Sequence, residues 1–106
     1  MLIIFLDFEM ALHTLSLPPN SELLETCARI INADDCLLLL GDGVYAGVIG
    51  SRYFGLVDAI NCNIYALRED CELAGLGHKI SKRVAIIDYS DFVALSVQHE
   101  KHIPWD

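Results

Sequence analysis

Cys71 is the side chain of this chain best suited to covalent chemistry, and Cys27 stands in the opposite setting. A thiol attacks only as its thiolate, so the charge and solvent around each sulfur decide what it can do. Cys71 opens a short helical stretch, Cys71 to Ala74, directly behind a strand, where the positive end of the helix dipole favours thiolate. Glu69, Asp70 and Glu72 surround it with negative charge and oppose the same shift. Cys27 falls in the middle of an apolar helical stripe, the place of a small buried hydrophobe. Cys36, at the head of an apolar strand, and Cys62, just before the next strand, read as structural. The four cysteines lack Cys-x-x-Cys spacing, which suits reduced thiols in a cytoplasmic protein better than a disulfide framework or a zinc site.

A binding turn is the second candidate. Cys36-Leu-Leu-Leu-Leu40 is a continuous apolar run, the signature of a strand buried on both faces, and Gly41-Asp42-Gly43 ends it. Open α/β sheets keep functional groups at the carboxyl ends of central strands, which makes Gly41, Asp42 and Gly43 candidate binding residues. Gly41-Asp-Gly43-Val-Tyr-Ala46 also matches the dinucleotide pattern G-x-G-x-x-A, with Asp70 beyond the next strand as a ribose partner. That pattern is short and common, and here it does not open the fold. A phosphate-binding G-x-x-x-x-G-K-[ST] loop does not occur. His99 and His102 are three apart, but His13 and His78 lie far off in sequence. The expectation is therefore solvated histidines on a loose acidic tail, with no metal and no cofactor.

The elements that must position these residues alternate. Ala11 to Leu17 reads as the first strand, ended by Pro18-Pro19. Asn20-Ser21 caps a helix whose apolar stripe is Leu23, Leu24, Cys27, Ile30 and Ile31. After the glycine turn, Val44 to Ile49 and Tyr53 to Ile60 carry helical spacing broken by glycines, giving one kinked helix or two short ones. Asn63 to Leu67 and Val84 to Ile87 are further strands. The last helix takes Ser90 as its cap and turns Phe92, Val93 and Val97 inward. Strands alternating with helices predict a small three-layer α/β sandwich with a mostly parallel sheet of about four to five strands.

Composition narrows the function classes. With 7 basic against 15 acidic residues the net charge is −8, which repels phosphate backbones and argues against direct nucleic-acid binding. The apolar run Met1-Leu-Ile-Ile-Phe-Leu6 lacks the basic flank and cleavage site of an export signal, and no segment approaches a membrane span. Yet 54% of residues are hydrophobic, more than a domain of this size hides in its own core, so an oligomer interface is expected. Trp105, beside Pro104, and Tyr45, just past the glycine turn, are candidate interface anchors. Docking of Trp105 onto its own domain is the other reading.

Four segments, in order and spacing, resemble one family: Ala11-Leu-His-Thr-Leu15; Leu37-Leu-Leu-Leu-Gly-Asp-Gly-Val-Tyr-Ala46; Ile64-Tyr-Ala-Leu-Arg-Glu-Asp70 with Ala74-Gly-Leu76; and Ile86-Ile-Asp-Tyr-Ser-Asp-Phe-Val-Ala-Leu95. The family is DsrH/TusB, of the sulfur-relay proteins, and the resemblance runs from Met10 to Trp105. Met10 is then close to the usual start. Residues 1 to 9 become an N-terminal extension or extra strand before a single domain, 10 to 106. The resemblance implies a DsrEFH-like fold and a place in a TusBCD or DsrEFH heterohexamer, beside TusC/DsrF-like and TusD/DsrE-like subunits. Such assemblies pass persulfide sulfur between carrier proteins, toward 2-thiolation of the tRNA wobble uridine or along dissimilatory sulfur oxidation. The main carrier cysteine belongs to the TusD/DsrE type, so this chain would be a structural or secondary-carrier subunit. Some DsrH-like members carry a cysteine on the first helix, which Leu24-Glu-Thr-Cys27 resembles, and Cys71 lies near the region of the active cysteine in the catalytic subunits. Both are candidate sulfur carriers. The competing class is a stand-alone homo-oligomeric α/β protein that binds a small ligand or nucleotide at the Gly41 to Gly43 turn.

Overall fold

The run of leucines after Cys36 forms β2 (Cys36–Leu39), and every residue of it is buried. That is the state of a central parallel strand with helices on both faces. The computed structural model describes residues 11–106, so the expectations for residues 1 to 9 and for Met10 as a start lie outside the described residues. The other strands are β1 (Ala11–Leu15), β3 (Asn63–Leu67), β4 (Val84–Ile87) and β5 (Lys101–Pro104), joined by α1 (Ser21–Ile30), a 3-10 segment (Gly41–Gly47), α2 (Phe54–Asp58), α3 (Arg68–Leu73) and α4 (Tyr89–Gln98). The five strands of the described residues are all parallel, in the order β4-β3-β2-β1-β5. The small α/β sandwich expected from the alternation is the one formed.

Strand order fixes the layers. From β1 to β4 the chain steps steadily one way across the sheet, so right-handed crossovers lay α1, the 3-10 segment, α2 and α3 on one face. The last crossover returns past the whole sheet to the far edge and puts α4 on the other face. Leu15, Leu37, Leu39, Ile64 and Ala66 pack with Leu24, Cys27, Val44 and Val57 in the larger core. Leu12, Cys36 and Leu38 form a smaller one, covered by Phe92 and Leu95. Each buried leucine in these layers contributes ~1.5–3 kcal/mol relative to an exposed one.

Local signals account for most boundaries. The Asn20 side chain accepts a 2.8 Å hydrogen bond from the Leu23 N–H and starts α1 as expected. The stripe is narrower than the sequence implied: Ile30 points to solvent, and Ile31, just past the helix end, is the buried one. β1 stops at Leu15, two residues short of the expected end. α3 starts at Arg68, so Cys71 lies inside the helix rather than at its opening.

The last third departs further. Asp88, not Ser90, caps α4, through a reciprocal capping box with Asp91. Phe92 turns inward, but Val93 and Val97 face solvent, because Phe92 and Leu95 define the packed stripe. The loose tail is in fact β5, paired to β1 from Ala11↔Lys101 to Thr14↔Pro104. Four backbone partners on the edge of β1 order residues that carry little strand signal of their own. Among the described residues no helix is long and apolar enough to cross a membrane.

Candidate functional site

At the carboxyl end of the sheet the chain leaves β3 toward one face and β4 toward the other. Adjacent strands whose succeeding helices diverge in this way make a topological switch point, the usual crevice for function in an open α/β sheet. Cys71 lies there. It borders a hollow of about 510 Å³ lined by Arg68, Glu72, Gly75, Gly77, His78 and Ile86. Tyr89 N–H donates to Glu69 Oε2 at 3.3 Å, joining the starts of α3 and α4 across the crevice. The thiol itself is buried, 1% exposed, within the larger core. Burial pushes its pKa up, and the charges of Asp70 and Glu72 push the same way. The contest foreseen between helix dipole and carboxylates is won by desolvation and the carboxylates.

Cys27 is enclosed by the larger core and fully buried, and desolvation raises its pKa from 9.0 to about 11. Cys62 is raised to about 11 for the same first reason. Cys36 is also raised to about 11, by burial and then by the neighbouring Asp35 charge. It faces His99 on the smaller core, with Sγ 3.6 Å from Nε2. His99 Nδ1–H donates to the Leu95 carbonyl at 2.8 Å, so Nε2 is the acceptor and the Cys36 S–H donates to it. All four thiols of the chain are thus free, buried and held as S–H.

The glycine turn is built for packing. Gly41 has φ +54°, the left-handed region, and its N–H donates to Asp70 Oδ2 at 2.7 Å. A Cβ on Gly43 would collide with the Leu15 carbonyl, so only glycine lets the turn pass the end of β1. The turn runs into a seven-residue 3-10 segment, not the α-helix of a dinucleotide fingerprint. Asp70, the expected ribose partner, takes the N–H that a phosphate would need, and Asp42 adds a second carboxylate to the hollow of about 220 Å³ beside Tyr45. That geometry opposes phosphate.

Sequence reasoning missed a polar pin. Trp105 Nε1–H donates to His13 Nδ1 at 2.9 Å, which leaves Nε2–H to donate to Asp35 Oδ2 at 2.9 Å. Asp35 also accepts from the backbone N–H groups of Ala11 and Asn32, both at 3.0 Å. Burial alone would raise its pKa; these hydrogen bonds outweigh burial and leave it lower than 3.8. The Trp105 N–H donates to the Thr14 carbonyl at 2.8 Å, so the tryptophan docks on its own domain. His13 and His99 are buried rather than solvated, and His102 is tied to the Ser96 and His99 carbonyls. No group of three or more metal-ligating side chains comes together among the described residues.

Fold and site together define a small parallel α/β sandwich whose thiols are sheltered and whose switch-point crevice holds one of them. A family model described as "DsrH like protein" matches residues 18–102. Protein TusB of Pectobacterium parmentieri is 40% identical over 94 residues, covering 89% of this chain and 99% of that protein. Protein TusB of Escherichia coli K12 shows the same identity and coverage. The crystal structure of the ychN protein from E. coli superposes with a TM-score of 0.71 over 92% of this chain and 99% of that one, at 16% identity, which shows the fold alone. The chain belongs to the DsrH/TusB family of sulfur-relay proteins.

Proposed function

We propose that this chain is a sulfur-relay subunit of a cytoplasmic heterohexamer, working beside TusC/DsrF-like and TusD/DsrE-like chains toward 2-thiolation of the tRNA wobble uridine. The similarity to proteins named TusB over almost their whole length favours the tRNA branch over sulfur oxidation. Domain 10 to 106 carries this role.

The observation that carries the subunit's part is the state of its thiols. In persulfide transfer the acceptor thiolate attacks the outer sulfur of the donor persulfide, a new S–S bond forms, and the donor cysteine leaves as its own thiolate. No net oxidation occurs, but the acceptor must be ionised and reachable. Cys27 and Cys71 are neither in this chain, so a partner subunit supplies the principal carrier and this chain completes the assembly. Cys71 is the better placed secondary carrier, since it borders an open hollow, whereas Cys27, on α1, is fully enclosed. An exposed stripe on α4, Tyr89, Val93 and Val97 at helical spacing, offers apolar area to a neighbouring subunit.

Native mass spectrometry of the tagged chain recovered from its own host, without reductant, is the test. Two further small chains in equal copies are expected, with no added sulfur on this chain. A lone homo-oligomer defeats the relay-subunit reading. An added sulfur that persists in Cys27→Ser and vanishes in Cys71→Ser makes this chain a carrier at Cys71.

A further inference from the structure

The exit of the 3-10 segment is clasped to the loop between α3 and β4. Ile49 N–H donates to the Lys79 carbonyl at 2.7 Å, Ser81 N–H donates to the Gly47 carbonyl at 2.9 Å, and Val48 and Ile80 form an antiparallel bridge. Beside this clasp lies a hollow of about 330 Å³, floored by Val48 and Leu76 and walled by Pro19 and Tyr45. Arg52 and Lys79 stand on its rim, and among the described residues no carboxylate lines it. Arg52 stacks over the Tyr53 ring at 5.0 Å, which holds the guanidinium in place. Neither cation pairs with a carboxylate among the described residues. In a chain of net charge −8, two unpaired cations over an apolar floor mark a place of reversed sign.

We infer that this hollow docks an acidic segment of a partner protein: a large apolar side chain seats on Val48 and Leu76, and a neighbouring carboxylate lies between Arg52 and Lys79. Charge complementarity selects the occupant. An extended polyanion is disfavoured, because Tyr45 also borders the neighbouring hollow, where Asp42 and Asp70 would repel the next phosphate. A single carboxylate on a peptide meets the cations without reaching those acids. The volume is at the small end of the roughly 300–1,000 Å³ range of ligand sites and suits a side chain or two. The inference rests on the reading of this chain as one subunit among different chains, which supplies the partner polypeptide.

The test places p-benzoylphenylalanine at Tyr45 in the full chain, produced in its own host, irradiates the native assembly and maps the cross-linked peptide by mass spectrometry. The expected cross-link falls in an apolar segment carrying Asp or Glu on a different protein. Its yield drops roughly tenfold or more with Arg52→Glu and Lys79→Glu together, and returns when the cross-linked acid is changed to Lys. Both cations are exposed, so the double variant should keep the melting temperature of the parent. A cross-link to RNA, to a second copy of this chain, to a segment without acid, or one indifferent to charge reversal overturns the inference. So does no cross-link at all. Native mass spectrometry of the same samples separates the two readings: an intact hetero-complex with an empty hollow defeats only this inference. A cross-linked acidic segment on another protein, with no TusC- or TusD-like chains present, defeats only the assembly reading.

Discussion

The two faces of the sheet are unequal. One carries α1, the 3-10 segment, α2 and α3 over a core that buries residues from each of them. Among the described residues the other carries α4 alone, which buries none of its residues fully and leaves Val97 80% exposed. The same sheet therefore has a finished face and a thin one, and the cause is topological: three crossovers run one way and only the last returns. The thin face is where apolar surface remains for other chains.

Truncation of one leucine on each face should show the inequality directly. Leu24→Ala, in the finished core, is expected to cost ~3–5 kcal/mol in urea unfolding, and Leu95→Ala on the thin face about 1–2 kcal/mol. Equal losses would break the comparison. The polar pin under β1 sharpens it next. Asp35 has a depressed pKa in the folded chain, so its contribution is fully present above about pH 4, where the unfolded carboxylate ionises, and is lost as pH falls through the lower folded value. Asp35→Asn should cost about 2 kcal/mol at pH 7 and remove part of the acid slope of stability.

Smaller effects are expected at the edges. Trp105→Phe keeps the ring but deletes the donor to His13, for about 1 kcal/mol and a looser β5, seen as faster hydrogen exchange at Ile103. Val97→Asp, on the outer side of α4, should change the stability of the isolated chain by less than about 0.5 kcal/mol. The same substitution should lower recovery of the chain in its native assembly. If assembly is unaffected, the thin face is not the interface.

Where the sequence was legible, one short-range rule governed. Five consecutive apolar residues after Asp35 read as a doubly covered strand, and Asn20 ahead of Leu23 and Leu24 reads as a cap. α4 was harder because it has two apolar stripes: Phe92 with Leu95, and Tyr89 with Val93 and Val97. Periodicity cannot choose between them, and the contact with Leu12 and Leu38 does. β5 was illegible, since Lys101 and His102 carry no strand signal and become a strand by borrowing the edge of β1. The histidines were misjudged for a related reason. A polar ring is buried only if partners far off in sequence satisfy it, and Asp35, Trp105 and the Leu95 carbonyl do so.

The sequence by itself determined the alternation of strands and helices, the central strand, the glycine at position 43, the acidic charge and the family. The family rests on a resemblance that runs from Met10 to Trp105, and each of the others on neighbours within a few residues or on composition. Only the tertiary structure decided which face Cys27, Cys36 and Cys71 occupy and that β3 and β4 part at a crevice holding Cys71. It alone brought Arg52 and Lys79 together over one apolar floor. Those facts depend on strand order and on burial, which join residues across the chain and so have no expression in local spacing.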